Sequence, residues 1–164
     1  ASATPFNRHK FTAFEGGVRV PAFVHYPRKV ASGERSGAMG TVMDLLPTFL
    51  ALAGAQHPGE TYRGKPVLRP QGVSLLPVLY GQAKSVHGAD EIHGWELFGH
   101  RSVRQGDWKL VWDAEPEPAQ RRWALFNVAS DFEEQRDLSS SNPQQASKLQ
   151  SAWDAYAQRN GVIF

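Results

Sequence analysis

The sequence predicts an α+β fold: a C-terminal four-stranded antiparallel sheet packed by a C-terminal helix, preceded by a separate strand and helix. Three observations carry this. Between residues 92 and 128, short runs rich in β-branched and aromatic residues are separated by turn residues, the pattern of half-buried strands. Beyond Pro143, Ala146, Leu149, Trp153 and Tyr156 are spaced three, four and three, one stripe of a helix. Ahead of both, residues 18–24 form a short β-branched apolar run and residues 44–53 an almost wholly apolar one.

The first element is organised by the stretch K-F-T-A-F-E-G-G-V-R-V-P, residues 10–21. A lone lysine precedes a two-glycine turn that leads into the run Val18-Arg19-Val20-Pro21-Ala22-Phe23-Val24, read as a buried strand. Gly16 and Gly17 permit positive φ and close approach of backbone. The lysine is thereby a compact cation on a tight loop, suited to sulfate, phosphate or carboxylate. A polar loop follows. Asp44 is then expected to cap a helix whose first turn holds Pro47 and which Gly54 ends. Apolar nearly all round, that helix should be buried on more than one side. Residues 56–71 are irregular, and Ser74 caps a short helix over residues 75–80. Residues 82–90 form a polar linker, dividing the chain into domains 1–82 and 91–164.

The four strands are expected over residues 92–98, 101–104, 108–112 and 123–128. Gln105-Gly106-Asp107 supplies a hairpin turn. In the third strand Trp108, Leu110 and Trp112 share one face and Lys109 and Val111 the other. The final helix starts at Asn142 with Pro143 in its first position, Gln145 in capping-box range and Gly161 at its end.

Composition narrows the class. The 164 residues are 41% hydrophobic and 21% charged, which is ordinary for a globular chain. The formal charge of +2, without a basic run, gives no phosphate-tracking surface for nucleic acid. No apolar segment approaches membrane-spanning length, and the first ten residues lack the apolar core of a signal peptide. Cysteine is absent, so disulfides and thiolate metal sites are excluded. The compartment stays open between bacterial cytoplasm and periplasm.

With a lysine five positions before its glutamate, E-G-G-V-R-V-P resembles the sulfatases of the alkaline phosphatase superfamily. M-D-L-L-P-T-F-L-A-L-A-G (43–54) and G-W-E-L-F-G-H-R-S-V-R-Q-G-D-W-K-L-V (94–111) are similar in the same order, the latter closest to bacterial arylsulfatases. L-F-N-V-A-S-D-F-E-E-Q-R-D-L (125–138) also follows the family pattern, with Phe132 where proline is usual. The resemblance implies that Lys10 reaches the sulfate group. It also implies that the early strand and helix belong to the family's large α/β domain. A sulfatase uses a formylglycine, made within C/S-x-P-x-R, and a calcium ion. That motif is absent here, so both are expected from an N-terminal sulfatase domain preceding this chain, which alone would be inactive. No metal or other cofactor is assigned to the chain itself. The related phosphonate and phosphodiester hydrolases are the nearest alternative, and a self-contained interaction domain is the rival from another class.

Among other residues, Arg8 and His9 flank Lys10 and could extend an anion pocket. His100, in the G-H-R turn, lies where a small domain could lean over a site and touch the sulfate-ester substrate. His25 is expected as a hydrogen-bonded histidine on the first strand. Arg19 is expected to brace the turn through Glu15 or Asp44. Asp131, Glu133, Glu134 and Asp137 cluster without the glycine and distal glutamate of a calcium loop, and read as a solvated loop positioning the last helix. The five tryptophans read as core. Residues 11–54, deprived of neighbours, are expected to drive self-association.

Overall fold

The computed structural model describes residues 3–115 and 117–163. In chain order these form α1 (Glu15–Val18), a 3-10 turn (Val42–Asp44), α2 (Leu45–Leu52), β1 (Thr61–Tyr62), β2 (Lys65–Pro66) and α3 (Leu76–Leu79). Then come β3 (Ile92–Leu97), β4 (His100–Gln105), β5 (Trp108–Trp112), a second 3-10 turn (Pro118–Gln120), β6 (Trp123–Asn127) and α4 (Pro143–Asn160). The chain divides into two compact units, one of Ala1–Pro21 with Ala89–Phe164, the other of Ala22–Gly88. The expected 1–82 and 91–164 division places the first twenty-one residues differently. Within this chain Ala13 and Phe14 of that segment pack on the sheet.

That sheet is an antiparallel meander in the order β3-β4-β5-β6. Its register pairs Val103 with Leu110 and Leu110 with Leu125. These three line one face and meet Leu149, Trp153 and Ala157 of α4. Trp123 packs edge-on against Trp112 and tilted against Trp153, at ring separations of 5.5 and 6.0 Å. The helix lies close over β3 because Gly94 has no side chain there: a Cβ would meet the ring of Tyr156 at 2.6 Å. The opposite face carries Val111, Phe126 and Val128, covered by Ala13 and Phe14. Both sides of the sheet are thus buried.

The helix bounds agree with expectation but two caps do not. Gly161 ends α4 in the left-handed conformation. Asn142 makes no cap hydrogen bond to α4; its amide donates to the Leu138 carbonyl and Ser141 Oγ instead. Asp44 stands at the N-cap position of α2, as expected, but its side chain makes no cap bond to that helix. Thr41 caps the 3-10 turn, and Asp44 is the reciprocal third residue of that capping box.

The strand expected over residues 18–24 does not form. Residues 15–18 make one helical turn, and the following backbone has no ladder partner, leaving Val20 and Phe23 exposed. A strand needs a neighbour for its N–H and C=O groups, and apolar character alone supplies none. His25, expected as a bonded histidine on that strand, is exposed as well. Gly16 and Gly17 serve close approach but not positive φ, since neither lies in the left-handed region.

In the second unit, α2 buries Thr48 while Leu45, Leu46, Phe49 and Leu52 stay exposed, Phe49 at 60%. The burial expected on more than one side is not supplied by this chain. No helix is long and apolar enough to cross a membrane among the described residues.

Candidate functional site

The segment carrying Lys10 is fixed to the sheet by buried charge. Strand alternation turns Lys109 away from α4, toward the face that residues 12–15 cover. Its side chain is 0% exposed. The ammonium donates to Glu15 Oε1 at 2.8 Å and pairs with Glu134 Oε1 at 2.9 Å. Glu134 Oε2 in turn accepts the backbone N–H of Glu15 at 2.6 Å. Burial pushes the Glu134 carboxyl above the usual carboxylate range, although Lys109 and the Glu15 N–H pull against it. The arrangement is a buried bracket: two carboxylates far apart in sequence, one opening α1 and one on the 131–137 loop, grip one lysine from the sheet.

The same segment is bonded along its length. Asn7 donates from Nδ2 to the Glu134 carbonyl at 3.2 Å, and its own carbonyl accepts Gly16 N–H at 2.9 Å. A Cβ on Gly16 would collide with the carbonyls of Asn7 and Arg8, so the tight wrap requires glycine. Thr12 Oγ1 donates to the His9 carbonyl at 2.9 Å. Arg19 pairs with Glu15 Oε2 at 3.6 Å, as expected of a brace, and lies over the ring of Phe6.

Lys10 itself is exposed, its ammonium 5.1 Å from the centroid of the Phe11 ring. Among the described residues no carboxylate pairs with it. Arg8 is different: it is held by Asp113 at 2.8 Å and Glu115 at 2.9 Å, so it braces the loop instead of offering a free charge. His9 Nδ1 lies 2.7 Å from the Lys10 carbonyl. His100 is buried on the same sheet face. Its Nδ1 lies 3.2 Å from the Ala114 backbone nitrogen. Asp113 Oδ1 stands 3.3 Å from that Nδ1. Arg8 and Asp113 therefore join the Lys10 loop to His100.

The acidic cluster at 131–137 divides. Asp131 accepts from the N–H groups of Gln135 and Arg136, and Asp137 from those of Leu125 and Ser139, as a loop-building role requires. Glu134 is not solvated, contrary to the expectation for that loop. It is 3% exposed, because only there can it meet Lys109.

In the second unit Asp44 is fully buried and gathers four donors. They are the Thr41 N–H at 2.6 Å, the Thr41 hydroxyl at 3.0 Å, the Val73 N–H at 2.9 Å and His87 Nε2 at 2.9 Å. Desolvation raises the Asp44 pKa, but those bonds outweigh it and hold it below the ordinary value. Calcium and formylglycine find no fit among these residues. Glu15, Glu134 and Asp44 are already committed to Lys109, backbone and His87, and no C/S-x-P-x-R run exists.

Three sites escaped sequence reading: Lys109 with its two glutamates, Asp44 with His87, and the Asp113 link to His100. The first had a signal. A lysine alternating inside W-K-L-V-W, on a strand covered on both sides, has to find a buried carboxylate.

A family profile described as "N-sulphoglucosamine sulphohydrolase, C-terminal" matches residues 7–156. An uncharacterized sulfatase of Schizosaccharomyces pombe is 33% identical over 163 residues, which is 99% of this chain and 29% of that protein. Bovine arylsulfatase A is 45% identical over 76 residues, 46% of this chain and 13% of that one. Among solved structures, Ps i-CgsB superposes with a TM-score of 0.74 at 27% identity, covering 94% of this chain and 32% of its own. The chain thus spans less than a third of the yeast relative's length and a similar share of Ps i-CgsB. With a profile match over most of its length and a fold shared with sulfatases, this chain belongs to the sulfatase family and corresponds to its C-terminal part.

Proposed function

We propose that the chain is the C-terminal portion of a sulfuric ester hydrolase of arylsulfatase type, in which Lys10 contacts the sulfate group. The observation that carries this is the state of Lys10: an exposed cation without a carboxylate partner among the described residues, on a loop anchored by the buried Lys109–Glu15–Glu134 bracket. A fixed positive charge can stabilise the sulfuryl oxygens as charge builds on them during S–O cleavage. The nucleophile and calcium are supplied by residues outside this chain. The exposed apolar faces of α2 and residues 20–26 are the surface on which that larger portion rests. His100, linked to the loop through Asp113, lines the substrate side of the same sheet face.

The test is made on the complete protein that carries this chain. Lys10→Ala should lower kcat/KM for 4-nitrophenyl sulfate by on the order of a hundredfold or more, since one such preorganised group is typically worth about 3 kcal/mol. The thermal midpoint should stay within about two degrees, the loop lysine being exposed. The 164-residue chain by itself should show no turnover. Near-normal kinetics of Lys10→Ala, or turnover by the chain alone, would refute the assignment.

A further inference from the structure

Two phenylalanines occupy backbone conformations that phenylalanine disfavours. Phe11 has φ of +81° and Phe98 of +53°. A bulky residue in this left-handed region costs about 1–3 kcal/mol and persists where surrounding structure or function demands it. Phe98 and Gly99 form the two-residue turn between β3 and β4, both with positive φ, as a type I′ hairpin requires. Asparagine or glycine would serve position 98 without strain. Phe11 directly follows Lys10 on a different loop.

Burial does not compensate the strain. Phe11 is 51% exposed and Phe98 74%. What the two residues share is each other: their rings lie 5.9 Å apart, tilted by 54°. The Lys10 ammonium lies beside the Phe11 ring, at 5.1 Å. Two strained loops thus bring a pair of exposed rings together next to a cation that lacks a carboxylate partner among the described residues. A ligand that matches both features has an aromatic ring joined to an anionic group.

We propose that Phe11 and Phe98 form an aromatic platform that receives the ring of an aryl sulfate while Lys10 takes its sulfate. This rests on the reading of the chain as part of an arylsulfatase-type hydrolase. The platform acts on the leaving group, so it sets preference among esters and not the capacity to bind sulfate. Offset or edge contact between aromatic rings supplies the selectivity.

The experiment uses the complete protein, with 4-nitrophenyl sulfate as substrate and two competitors: 2-naphthalenesulfonate, which has ring and anion, and inorganic sulfate, which has the anion alone. The variants are Phe98→Gly and Phe11→Gly, since glycine keeps the left-handed backbone without strain. Each should raise the inhibition constant of 2-naphthalenesulfonate about tenfold and leave that of inorganic sulfate within about twofold. The thermal midpoint of Phe98→Gly should hold or rise, because strain is released and that ring is 74% exposed. Equal weakening of both competitors, no weakening of either, or a clear fall in the thermal midpoint of Phe98→Gly, as a ring covered by another part of the protein would give, overturns the platform. Failure of the unmodified protein to hydrolyse 4-nitrophenyl sulfate would remove the arylsulfatase reading and the platform together. The other three results remove the platform alone.

Discussion

Replacing Lys109 with methionine tests the bracket beneath the Lys10 loop. The two side chains have similar length, so packing is nearly kept and only the charge is lost. Lys109 stands 2.8 Å from Glu15 and 2.9 Å from Glu134, with no exposure to water. Without it, two carboxylates face each other in the interior. Breaking a buried ion pair from one side typically costs about 3–5 kcal/mol, against a total stability of roughly 5–15 kcal/mol for a domain. With a urea dependence of about 1–3 kcal/mol per molar, the midpoint should fall by roughly 1 M or more. Trp123 and Trp153, packed against each other, report the transition by fluorescence. The loss should depend on pH. In the variant the buried Glu134 carboxyl loses the lysine that opposes its desolvation and favours its protonated form further when folded, so the deficit is largest at neutral pH and shrinks as pH falls through the carboxylate range. Glu134→Gln is the control. Glu134 is raised in the folded protein, so the native state loses stability as pH rises from the ordinary glutamate value through that raised one. The amide does not titrate, so the control variant lacks this slope and leaves Glu15 paired with Lys109, at a cost of about 1–3 kcal/mol because its NH2 group must face either the Lys109 ammonium or the Glu15 N–H. A Lys109→Met protein within about 1 kcal/mol of the parent at pH 7, or equally weakened at pH 4 and pH 7, would show that the bracket does not hold the loop.

Asp44→Asn should destabilise the second unit by about 2–4 kcal/mol, since an amide cannot accept from all four donors that now converge on the carboxylate. Because the Asp44 pKa is lowered in the folded state, its contribution is present above the unfolded aspartate value and lost as pH falls through the folded one. The gap between parent and variant, measured by hydrogen exchange across residues 41–87, should therefore close in acid, and a gap that persists unchanged at pH 2 contradicts this. Ser102→Ala should hold or gain stability by up to about 1 kcal/mol, because Ser102 Oγ is buried without a hydrogen-bond partner among the described residues. A loss above 1 kcal/mol in a urea titration would mean that the hydroxyl has a role the geometry does not show.

The sheet and last helix were legible because their signals are local. Trp108, Leu110 and Trp112 alternate with Lys109 and Val111, and Leu149 and Trp153 repeat at helical spacing, whatever the rest of the chain does. Residues 18–24 carry an equally apolar pattern, yet a strand is a property of two segments, and here the second one is lacking. For the site, the pattern around Lys10 was readable as a lysine, a turn and a glutamate. The partners of that glutamate were not, because they lie 94 and 119 residues away and no periodicity connects them. The Asp44 environment shows the same limit. Read as a helix cap, it belongs to its neighbours Thr41 and Thr48; its bonds to Val73 and His87 depend on loops that no local rule places.

The placement of residues 12–15 on the sheet has a consequence for order of assembly. The meander of β3 to β6 and α4 joins neighbours in sequence, so it can form early and quickly. Its second face cannot be covered until the chain closes a loop of 94 residues and brings Glu15 to Lys109. Closure of so long a loop adds only modest entropy beyond a short one, but the contacts that reward it arrive together and late. On the ribosome the sequence of events is stretched further. The Lys10 segment is made before the sheet, then waits for Glu134, the bracket's last member, to be synthesised. The stretch that closes the fold is made ahead of the sheet it covers, and until that sheet forms Phe14 and Ala13 have nothing to rest on.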